Sequence, residues 1–484
     1  MNFTDTQKKI GIAVIATLIG AFTLTATQLS NCLNTSPTEP TPEVSSSPTP
    51  SSSPSPLPSA SPSSTPTGTS QIVLKGVVGE TVSAVFAPST AIASLAPGVR
   101  AYEIQKVTTL VPSFKGAAVG DYEDPLKPVT SLEAGKRYWV EVTLTAPGTS
   151  ALGFVTAVTK PGPMKTVPFY MELQFNQIAK AHNLPDEGST LAARCALALK
   201  YVQLLRAHGV EPIKQHPLVS AQAANGVLDL DGYFPAQGCT FRQLVLNGAI
   251  APPMIFTWSP SASDAQITAT KASLSSLPVD SWSYVWDEGE PAMDAQSLAQ
   301  AKRYKTSGLK LMQTHRYSAD FAPYIDWFCP VVNFAPFSRT PECLYTSCMA
   351  NATCQNTTAD KVGTPTGHPM MVLDAPSGHA VAFPLVMAKL GAARGLYFNS
   401  TQMLPTAWNP GGLYSEGGDG DGTLLYPGTD GLPWPSLRLK RLYRGLQDAY
   451  YLGRGMVNPV TGPTTFPQTE DAYEAARLAA WDKL

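Results

Sequence analysis

Three carboxylates cluster in one short stretch, residues 282–291, whose sequence is Trp-Ser-Tyr-Val-Trp-Asp-Glu-Gly-Glu-Pro. Its first half is aromatic and β-branched, which is the composition of a buried strand, and the glycine and proline end that strand. Asp287, Glu288 and Glu290 therefore stand at a strand end. An unpaired carboxylate is costly to bury, so acids in this position indicate either a buried ion pair or a functional site.

Two adjacent carboxyl groups suit the hydrolysis of a glycosidic bond. One protonates the leaving oxygen, and the second acts as a nucleophile, activates water or assists a group of the substrate. Neighbours in a regular strand point to opposite faces, so Asp287 and Glu288 reach one ligand only where the strand ends or bulges, which Gly289 permits. The apolar neighbour Trp286 would raise the pKa of the acid.

Strand and helix patterns alternate through residues 166–460, which predicts an α/β fold. The predicted strands begin at Val167, Glu211, Pro253, Trp282, Leu309, Ile325, Met370 and Gly395. Eight such units predict a (β/α)8 TIM-like barrel. A doubly wound sheet, the competing fold, would carry a Gly-rich phosphate loop after its first strand, which this sequence lacks. Barrel enzymes place their active sites at the carboxyl ends of the strands, which favours a catalytic role for Asp287 and Glu288 over a structural ion pair.

The barrel is flanked by segments of different composition. Residues 71–165 contain short β-rich runs, such as Tyr138–Leu144, whose alternation predicts a half-buried strand; together they predict a small all-β sandwich. Residues 33–70 are almost entirely Ser, Pro and Thr and predict an extended, disordered spacer. Residues 461–484 are predicted to form a helical tail.

The first 32 residues resemble an export signal. Lys8 and Lys9 precede an apolar run, Ile10–Ala26, and the sequence Leu-Ser-Asn-Cys ends at Cys32. This ending is similar to a bacterial lipobox, in which a lipidated Cys32 would tether the protein to a membrane, although Asn31 departs from the usual small residue. An uncleaved signal anchor is the alternative. Both place the remainder of the chain outside the cytoplasm, at the cell surface or in an extracellular or periplasmic space.

Six cysteines remain beyond Cys32, and an even number in an exported chain fits disulfide bonds. Three of them, Cys343, Cys348 and Cys354, lie in a Thr- and Asn-rich segment that is predicted to be a stapled loop. The sequence has no Cys-x-x-Cys pair and no metal-ligand spacing among its His residues, so neither a metal nor another cofactor is expected. A net charge of −2 gives no electrostatic basis for binding nucleic acid.

Two C-terminal motifs resemble glycoside hydrolase family 123 and the larger group of its relatives. Residues 418–428 are Gly-Asp-Gly-Asp-Gly-Thr-Leu-Leu-Tyr-Pro-Gly, and residues 436–452 are Ser-Leu-Arg-Leu-Lys-Arg-Leu-Tyr-Arg-Gly-Leu-Gln-Asp-Ala-Tyr-Tyr-Leu. The adjacent Asp287 and Glu288 also resemble the family's Asp-Glu pair on a strand. The resemblance covers residues 167–452 and implies a β-sandwich before the barrel.

The resemblance implies a retaining, substrate-assisted β-N-acetylgalactosaminidase that acts on a glycan. Glu288 would be the general acid and base, and Asp287 would stabilise the 2-acetamido group of the substrate. Where the family has Asp-Glu-Pro, this chain has Asp-Glu-Gly-Glu-Pro, so Glu290 is an alternative acid. Phe398 stands where the family usually has Trp, and Tyr451 replaces a Glu.

Four other residues are predicted to bind substrate, most with a structural alternative. Trp258, at a strand end, would stack on a sugar ring or pack in the core. His315 and Asn333 follow the fifth and sixth predicted strands and would bind hydroxyl groups or make loop hydrogen bonds. Tyr397 would contact the acetamido group.

Several charged residues have structural predictions instead. Arg438 and Arg444 are expected to form ion pairs, and Glu172 is expected to make a buried polar contact. The sequence Asp-Gly-Asp at residues 419–421 predicts a turn, because too few ligands follow for a calcium-binding loop.

The alternative function belongs to another class, a non-catalytic surface protein with a glycan-binding or structural role that retains the barrel. An open, aromatic-lined pocket around Asp287 and Glu288 would favour the enzyme, and an ion pair from either acid to an Arg would favour the alternative. The sequence leaves the sugar, its linkage, the disulfide pairing and the oligomeric state open.

Overall fold

The computed structural model describes residues 74–110, 120–143, 168–185, 190–212, 233–234, 239–248, 263–277, 295–314, 317–330, 342–345, 373, 379–415, 418–455 and 470–481. The predicted signal and spacer segments, residues 1–32 and 33–70, lie outside these ranges. Among the described residues, no helix is long and apolar enough to cross a membrane.

The N-terminal part of the described chain is an antiparallel sheet. Its strands are β1 (Thr81–Phe86), β2 (Val99–Thr109), β3 (Gly120–Val129) and β4 (Tyr138–Thr143), arranged in the order β1-β4-β2-β3. The strand predicted from Tyr138 onward is therefore confirmed. The described part of this region forms one sheet, and the second sheet of a sandwich stays a prediction.

Both faces of β4 are buried, whereas the sequence predicts a half-buried strand. Tyr138, Val140 and Val142 share the core on one face of the sheet, as their alternation predicts. On the other face, Trp139 packs with Leu437, which belongs to a long C-terminal helix. A helix thus covers the sheet face that would otherwise meet solvent, and this packing between distant segments has no local signal in the sequence.

Short parallel strands, helices and small hairpins make up the remainder of the described chain. The strands are β5 (Phe169–Met171), β6 (Val210–Pro212), β7 (Tyr233–Phe234), β8 (Cys239–Thr240), β9 (Met312–Gln313), β10 (Trp327–Phe328), β11 (Leu344–Tyr345), β12 (Gly395–Tyr397), β13 (Tyr414–Ser415), β14 (Gly418–Asp419), β15 (Leu425–Pro427) and β16 (Pro433–Pro435). The helices are α1 (Phe175–Ala181), α2 (Leu191–Arg206), α3 (Phe241–Leu246), α4 (Asp264–Leu274), α5 (Ala295–Thr306), α6 (His379–Leu390), α7 (Leu437–Gly455) and α8 (Glu470–Trp481), and residues 404–406 form a 3-10 turn.

The described parallel strands lie beside their neighbours in chain order, and β12, the last of them, pairs with β5, the first. One sheet has the order β11-β12-β5-β6, and β9 pairs with β10. Backbone hydrogen bonds from Cys343 to Phe328 (3.2 Å) and from Tyr345 to Pro330 (3.0 Å) also link β11 to the segment around β10. Pairing of the last parallel strand with the first is the neighbour relation that closes a barrel. The strands predicted from Pro253 onward and within 282–286 lie outside the described residues, so the eight-stranded barrel stays a prediction.

The strand beside β12 differs from the one that the sequence predicts. Leu344 and Tyr345 pair with Gly395 and Leu396, whereas the sequence predicts the strand at 370–373. Leu373 lies in a turn, and residues 370–372 lie outside the described ranges. A strand of two residues is too short to show a two-residue period, which explains why β11 escapes a sequence-based prediction.

Two disulfide bonds are present among the described cysteines. Cys195 of α2 is bonded to Cys239 of β8, and Cys329 is bonded to Cys343. The second bond joins the residues next to β10 and β11, so it supports the pairing of these short strands. Disulfides of this kind are typical of proteins that are kept outside the reducing cytosol.

His208 lies in a buried, polar region between α2 and α7. It is 3% exposed, its Nδ1 lies 2.6 Å from the carbonyl oxygen of Leu204, and its ring meets the ring of Tyr443 edge-on at 5.8 Å. Burial, together with the nearby positive charge of Lys440, lowers the pKa of His208 to about 3. The folded protein therefore holds this imidazole in its neutral form.

Replacing His208 tests the link between this burial and stability. The pKa of an unfolded His is about 6.5, so below that pH the unfolded chain takes up a proton that the folded chain does not. The contribution of His208 to the free energy of unfolding is therefore complete above about pH 6.5 and is lost as the pH falls toward the folded pKa. We expect His208→Gln to remove about 2 kcal/mol of the decline between about pH 6.5 and about pH 4.5, as measured by urea denaturation. Equal pH slopes for both proteins would contradict this account.

Candidate active site

Most of the residues that the sequence predicts in the site lie outside the described residues, namely Asp287, Glu288, Trp258, His315 and Asn333. Their roles stay predictions. Tyr397 is described, together with the carboxyl ends of several parallel strands, where the active sites of barrel enzymes lie. These strand ends are the part of the candidate site that the structure defines.

The parallel strands separate two groups of side chains. One group is an apolar cluster of Tyr170, Met312, Trp327, Tyr345 and Leu396 with the Cys329–Cys343 disulfide. Within it, Tyr170 stacks on Trp327 with ring centroids 6.2 Å apart. The other group, which includes Phe169 and Tyr397, packs against the helices in the main core. Strand alternation explains this separation, because neighbouring side chains point to opposite faces.

Glu172 and Phe398 directly follow β5 and β12 at their carboxyl ends. Each stands two residues after a member of the apolar cluster, so alternation places both on that side of the strands. Phe398 is partly buried and packs against the cluster. Glu172 is 2% exposed, and the Gln174 amide nitrogen lies 3.5 Å from its carboxylate, which is the buried polar contact that the sequence predicts. A carboxyl group and an aromatic ring thus follow two paired strands at their carboxyl ends.

The loop after β12, residues 399–403, is bonded to the end of β5. The backbone N–H and the hydroxyl of Ser400 both donate to the carbonyl oxygen of Glu172, at 2.9 and 2.7 Å. The backbone N–H of Gln174 donates to the Thr401 hydroxyl at 2.9 Å, and the Thr401 N–H donates to the Asn399 side chain at 2.8 Å. Asn399, Ser400 and Thr401 are each at most 1% exposed. The loop therefore has a fixed conformation beside Glu172.

Tyr397 points away from the apolar cluster. Its hydroxyl donates to Asp421 at 2.8 Å and accepts from the backbone N–H of Gly422 at 2.5 Å. Burial and the neighbouring Asp421 raise the pKa of Tyr397 well above its usual range, so the hydroxyl stays protonated. The side chain is 0% exposed, and contact with an acetamido group would require it to become accessible. That role stays a prediction.

Residues 418–423 form a tight turn against the loop after β12, as the sequence predicts for Asp419-Gly-Asp421. Gly420 and Gly422 have φ angles of 85° and 73°, in the left-handed region that favours glycine. A Cβ atom on Gly422 would also overlap Phe398 and the side chain of Gln402. Among the described residues, no group of three or more His, Cys, Asp or Glu side chains could hold a metal ion.

Arg438, the second residue of α7, binds this turn through its side chain. It donates to the backbone carbonyl oxygens of Gly420 and Thr423, each at 2.6 Å. It also makes a two-pronged ion pair with Asp124 of β3, with N–O distances of 2.9 and 2.8 Å. Burial opposes the charge on Arg438, but Asp124 outweighs it and raises the pKa of the guanidinium. The ion pair predicted for Arg438 is therefore confirmed.

Asp124 is the residue that sequence analysis misses. It lies in the N-terminal sheet, more than 300 residues before its partner, and is 0% exposed. It also accepts from the Tyr426 hydroxyl at 2.5 Å, and burial, with Asp124, raises the pKa of Tyr426 well above its usual range. The sequence does contain one indication that Asp124 is paired. An acid inside a strand needs a buried partner when its side of the strand faces a core.

Arg444, the other arginine predicted to be paired, lies further along α7. It forms an ion pair with Glu474 of α8. The prediction of an ion pair is again confirmed, and the partner belongs to the predicted C-terminal tail.

Comparison with solved structures identifies a similar enzyme. A family 123 glycoside hydrolase from Clostridium perfringens, described in connection with glycolipid glycan hydrolysis, superposes with a TM-score of 0.57. The match covers 85% of this chain and 92% of the other, at 11% sequence identity. This chain shares the fold of a family 123 glycoside hydrolase. The resemblance that the C-terminal motifs predict is thus confirmed at the level of the fold. No protein-family model matches the chain, and no curated protein sequence matches it.

Alanine substitutions at two glycines with similar backbone angles test how tightly the turn packs in this family 123-like fold. Gly422 (φ 73°) lies against Phe398, whereas Gly431 (φ 76°) has no atom within 4 Å of a built Cβ. Gly431→Ala should cost only the left-handed strain, about 1 kcal/mol. Gly422→Ala should add about 1–3 kcal/mol for overpacking. Thermal or urea unfolding measures both, and equal losses would show that the turn does not pack tightly on the loop after β12.

Proposed function

We propose that this protein is an exported glycoside hydrolase that cleaves β-linked 2-acetamido sugars with retention of configuration, by a substrate-assisted mechanism. The observation that carries the proposal is the fold shared with a family 123 glycoside hydrolase over 85% of the chain. Asp287 and Glu288 support it, because they follow the predicted fourth strand, and barrel enzymes carry catalytic groups at that end.

In the first step, the oxygen of the 2-acetamido group attacks the anomeric carbon while the glycosidic C–O bond breaks. Glu288 gives its proton to the leaving oxygen. Asp287 accepts a hydrogen bond from the acetamido N–H and stabilises the positive charge that develops on the oxazolinium ring. Asp287 therefore acts on the acetamido group, which is the nucleophile, and does not itself form a bond to the sugar carbon.

In the second step, water attacks the same carbon from the side that the leaving group vacated. The Glu288 carboxylate takes a proton from this water, and the bond between the anomeric carbon and the acetamido oxygen breaks. Glu288 is thereby protonated again, and the acetamido group is restored. Two displacements at one carbon leave its configuration unchanged.

The proposed substrate is a glycan that ends in a β-linked 2-acetamido sugar. The structural neighbour is described with glycolipid glycans, which makes a glycolipid headgroup one candidate. Trp258 would stack on a sugar ring, and His315 and Asn333 would bind hydroxyl groups. Tyr397 is the weakest of the proposed contacts, because its hydroxyl already has partners inside the protein.

The proposed location is the cell surface or an extracellular or periplasmic space. The Cys195–Cys239 and Cys329–Cys343 bonds support an oxidising compartment. A signal in residues 1–32 would direct export, and a lipid on Cys32 would tether the protein to a membrane. The spacer at 33–70 would hold the folded part away from that membrane.

Aryl glycosides test the mechanism directly. The wild-type protein should release 4-nitrophenol from the β-N-acetylgalactosaminide or the β-N-acetylglucosaminide. Asp287→Asn should lower kcat by about 10²-fold or more, because Asn cannot offset the oxazolinium charge. Glu288→Gln should lower kcat/KM by about 10²- to 10⁴-fold for a poor leaving group. Its effect should be far smaller for 2,4-dinitrophenol, which departs without a proton.

Glu290→Gln is the matched control, since it removes a neighbouring carboxylate of the same stretch. Its kcat/KM should stay close to that of the wild type; a loss confined to Glu290→Gln would assign the acid role to Glu290. Wild-type protein that binds N-acetylgalactosamine in calorimetry but hydrolyses neither aryl glycosides nor a glycolipid glycan would contradict the proposal. That result would favour the glycan-binding alternative.

A further inference from the structure

We propose that Asp124 and Arg438 are positioning residues that fix the loop after β12, residues 399–403, at the candidate active site. The N-terminal sheet would thus set the geometry of a loop to which it contributes no residue. The catalytic part of this inference rests on the function proposed above, and its structural part does not.

The turn at residues 418–423, together with Leu424 after it, is also hydrogen-bonded to the loop. The backbone N–H of Gln402 donates to the carbonyl oxygen of Gly422 at 2.9 Å, and the backbone N–H of Leu424 donates to the carbonyl oxygen of Ser400 at 2.9 Å. The N–H of Met403 donates to the Thr423 hydroxyl at 3.0 Å. The loop is therefore clamped between the end of β5 and this turn.

Arg438 holds the turn in place. Its two terminal nitrogens reach the carbonyl oxygens of Gly420 and Thr423, one at each side of the turn. A planar guanidinium presents its donors in a rigid fork, so its orientation sets the distance between these two carbonyls. Rotation of Arg438 would release the turn, and with it the groups that bind Gln402 and Met403.

Asp124 sets the orientation of Arg438. Both carboxylate oxygens accept from the guanidinium, and the pair has side-chain exposures of only 6% and 1%. A buried, two-pronged pair is specific in geometry, and removal of one partner leaves an uncompensated charge. The continuous path is therefore Asp124 to Arg438, then to the turn, then to the loop beside Glu172.

The chain offers a matched control on the same helix. Asp448 of α7 also makes a buried ion pair, in which Nε of Arg477 of α8 donates to both carboxylate oxygens, at 2.9 and 2.8 Å. Its side chain is 0% exposed, and that of Asp124 is 1% exposed. Arg477 also donates to the carbonyl oxygen of Lys75 at 3.1 Å and pairs with Glu474, so this ion pair joins α7 to α8 and to the segment before β1. Asp448→Asn thus also removes the charge that pairs with a buried arginine. It changes none of the residues that link Asp124 to the loop.

Asp124→Asn and Asp448→Asn should be compared in hydrogen–deuterium exchange of the full-length protein, with peptides that cover residues 396–404. We expect Asp124→Asn to speed exchange in this loop at least tenfold more than Asp448→Asn does. Tyr426→Phe, which removes one hydrogen bond to Asp124, is a milder variant in case Asp124→Asn does not fold, and it should change the same peptides to a smaller extent.

Activity provides the second measurement. On the aryl glycoside that the wild type cleaves, Asp124→Asn should lower kcat/KM at least tenfold, and Asp448→Asn should stay within threefold of the wild type. Equal exchange in the loop for both variants would overturn the proposal, as would a protected loop and unchanged kcat/KM in Asp124→Asn. An inactive wild type whose loop still responds only to Asp124→Asn would contradict the proposed function and leave the structural path intact.

Discussion

A buried ion pair between Asp124 and Arg438 joins parts of the chain that are far apart in sequence. Breaking such a pair by removing one partner costs about 3–5 kcal/mol, because the remaining charge has no water to solvate it. Here the pair also binds Tyr426 and two carbonyl oxygens of the turn before β15. The N-terminal sheet, the turn and the start of α7 are therefore stabilised together.

The helix α7 carries this arrangement because its polar side chains are as buried as its leucines. Leu439, Leu442 and Leu446 belong to the main core. Lys440, 3% exposed, forms an ion pair with Glu141 of β4 at 2.6 Å and lies 4.2 Å from the ring centre of Tyr102. Replacing a buried ion pair by apolar residues of similar volume is often neutral, so such a pair is weak evidence of net stability. The Lys440–Glu141 pair fixes how the sheet sits on the helix.

Local patterns in the sequence predict local structure well in this chain. The alternation of Tyr138, Val140 and Val142, the turn at 418–423 and the pairing of Arg438 and Arg444 all follow from residue types and spacing. The partners of the charged residues do not, because Asp124 and Glu474 are brought to them by the fold. The two-residue strand β11 is missed for a similar reason, since a neighbouring strand and a disulfide define it and a periodic pattern does not. Of the predicted site, the described residues include Tyr397 and the strand ends, while Asp287 and Glu288 remain predictions from their motif.

The proposed function requires a glycan site at the carboxyl ends of the parallel strands. A crystal structure with a stable thiazoline analogue of the oxazoline from N-acetylgalactosamine tests this most directly. We predict that the analogue binds beside Glu172 and Phe398, with its ring nitrogen within hydrogen-bond distance of Asp287 and its anomeric carbon facing Glu288. An analogue bound elsewhere, or Asp287 and Glu288 paired with arginines away from it, would contradict the account.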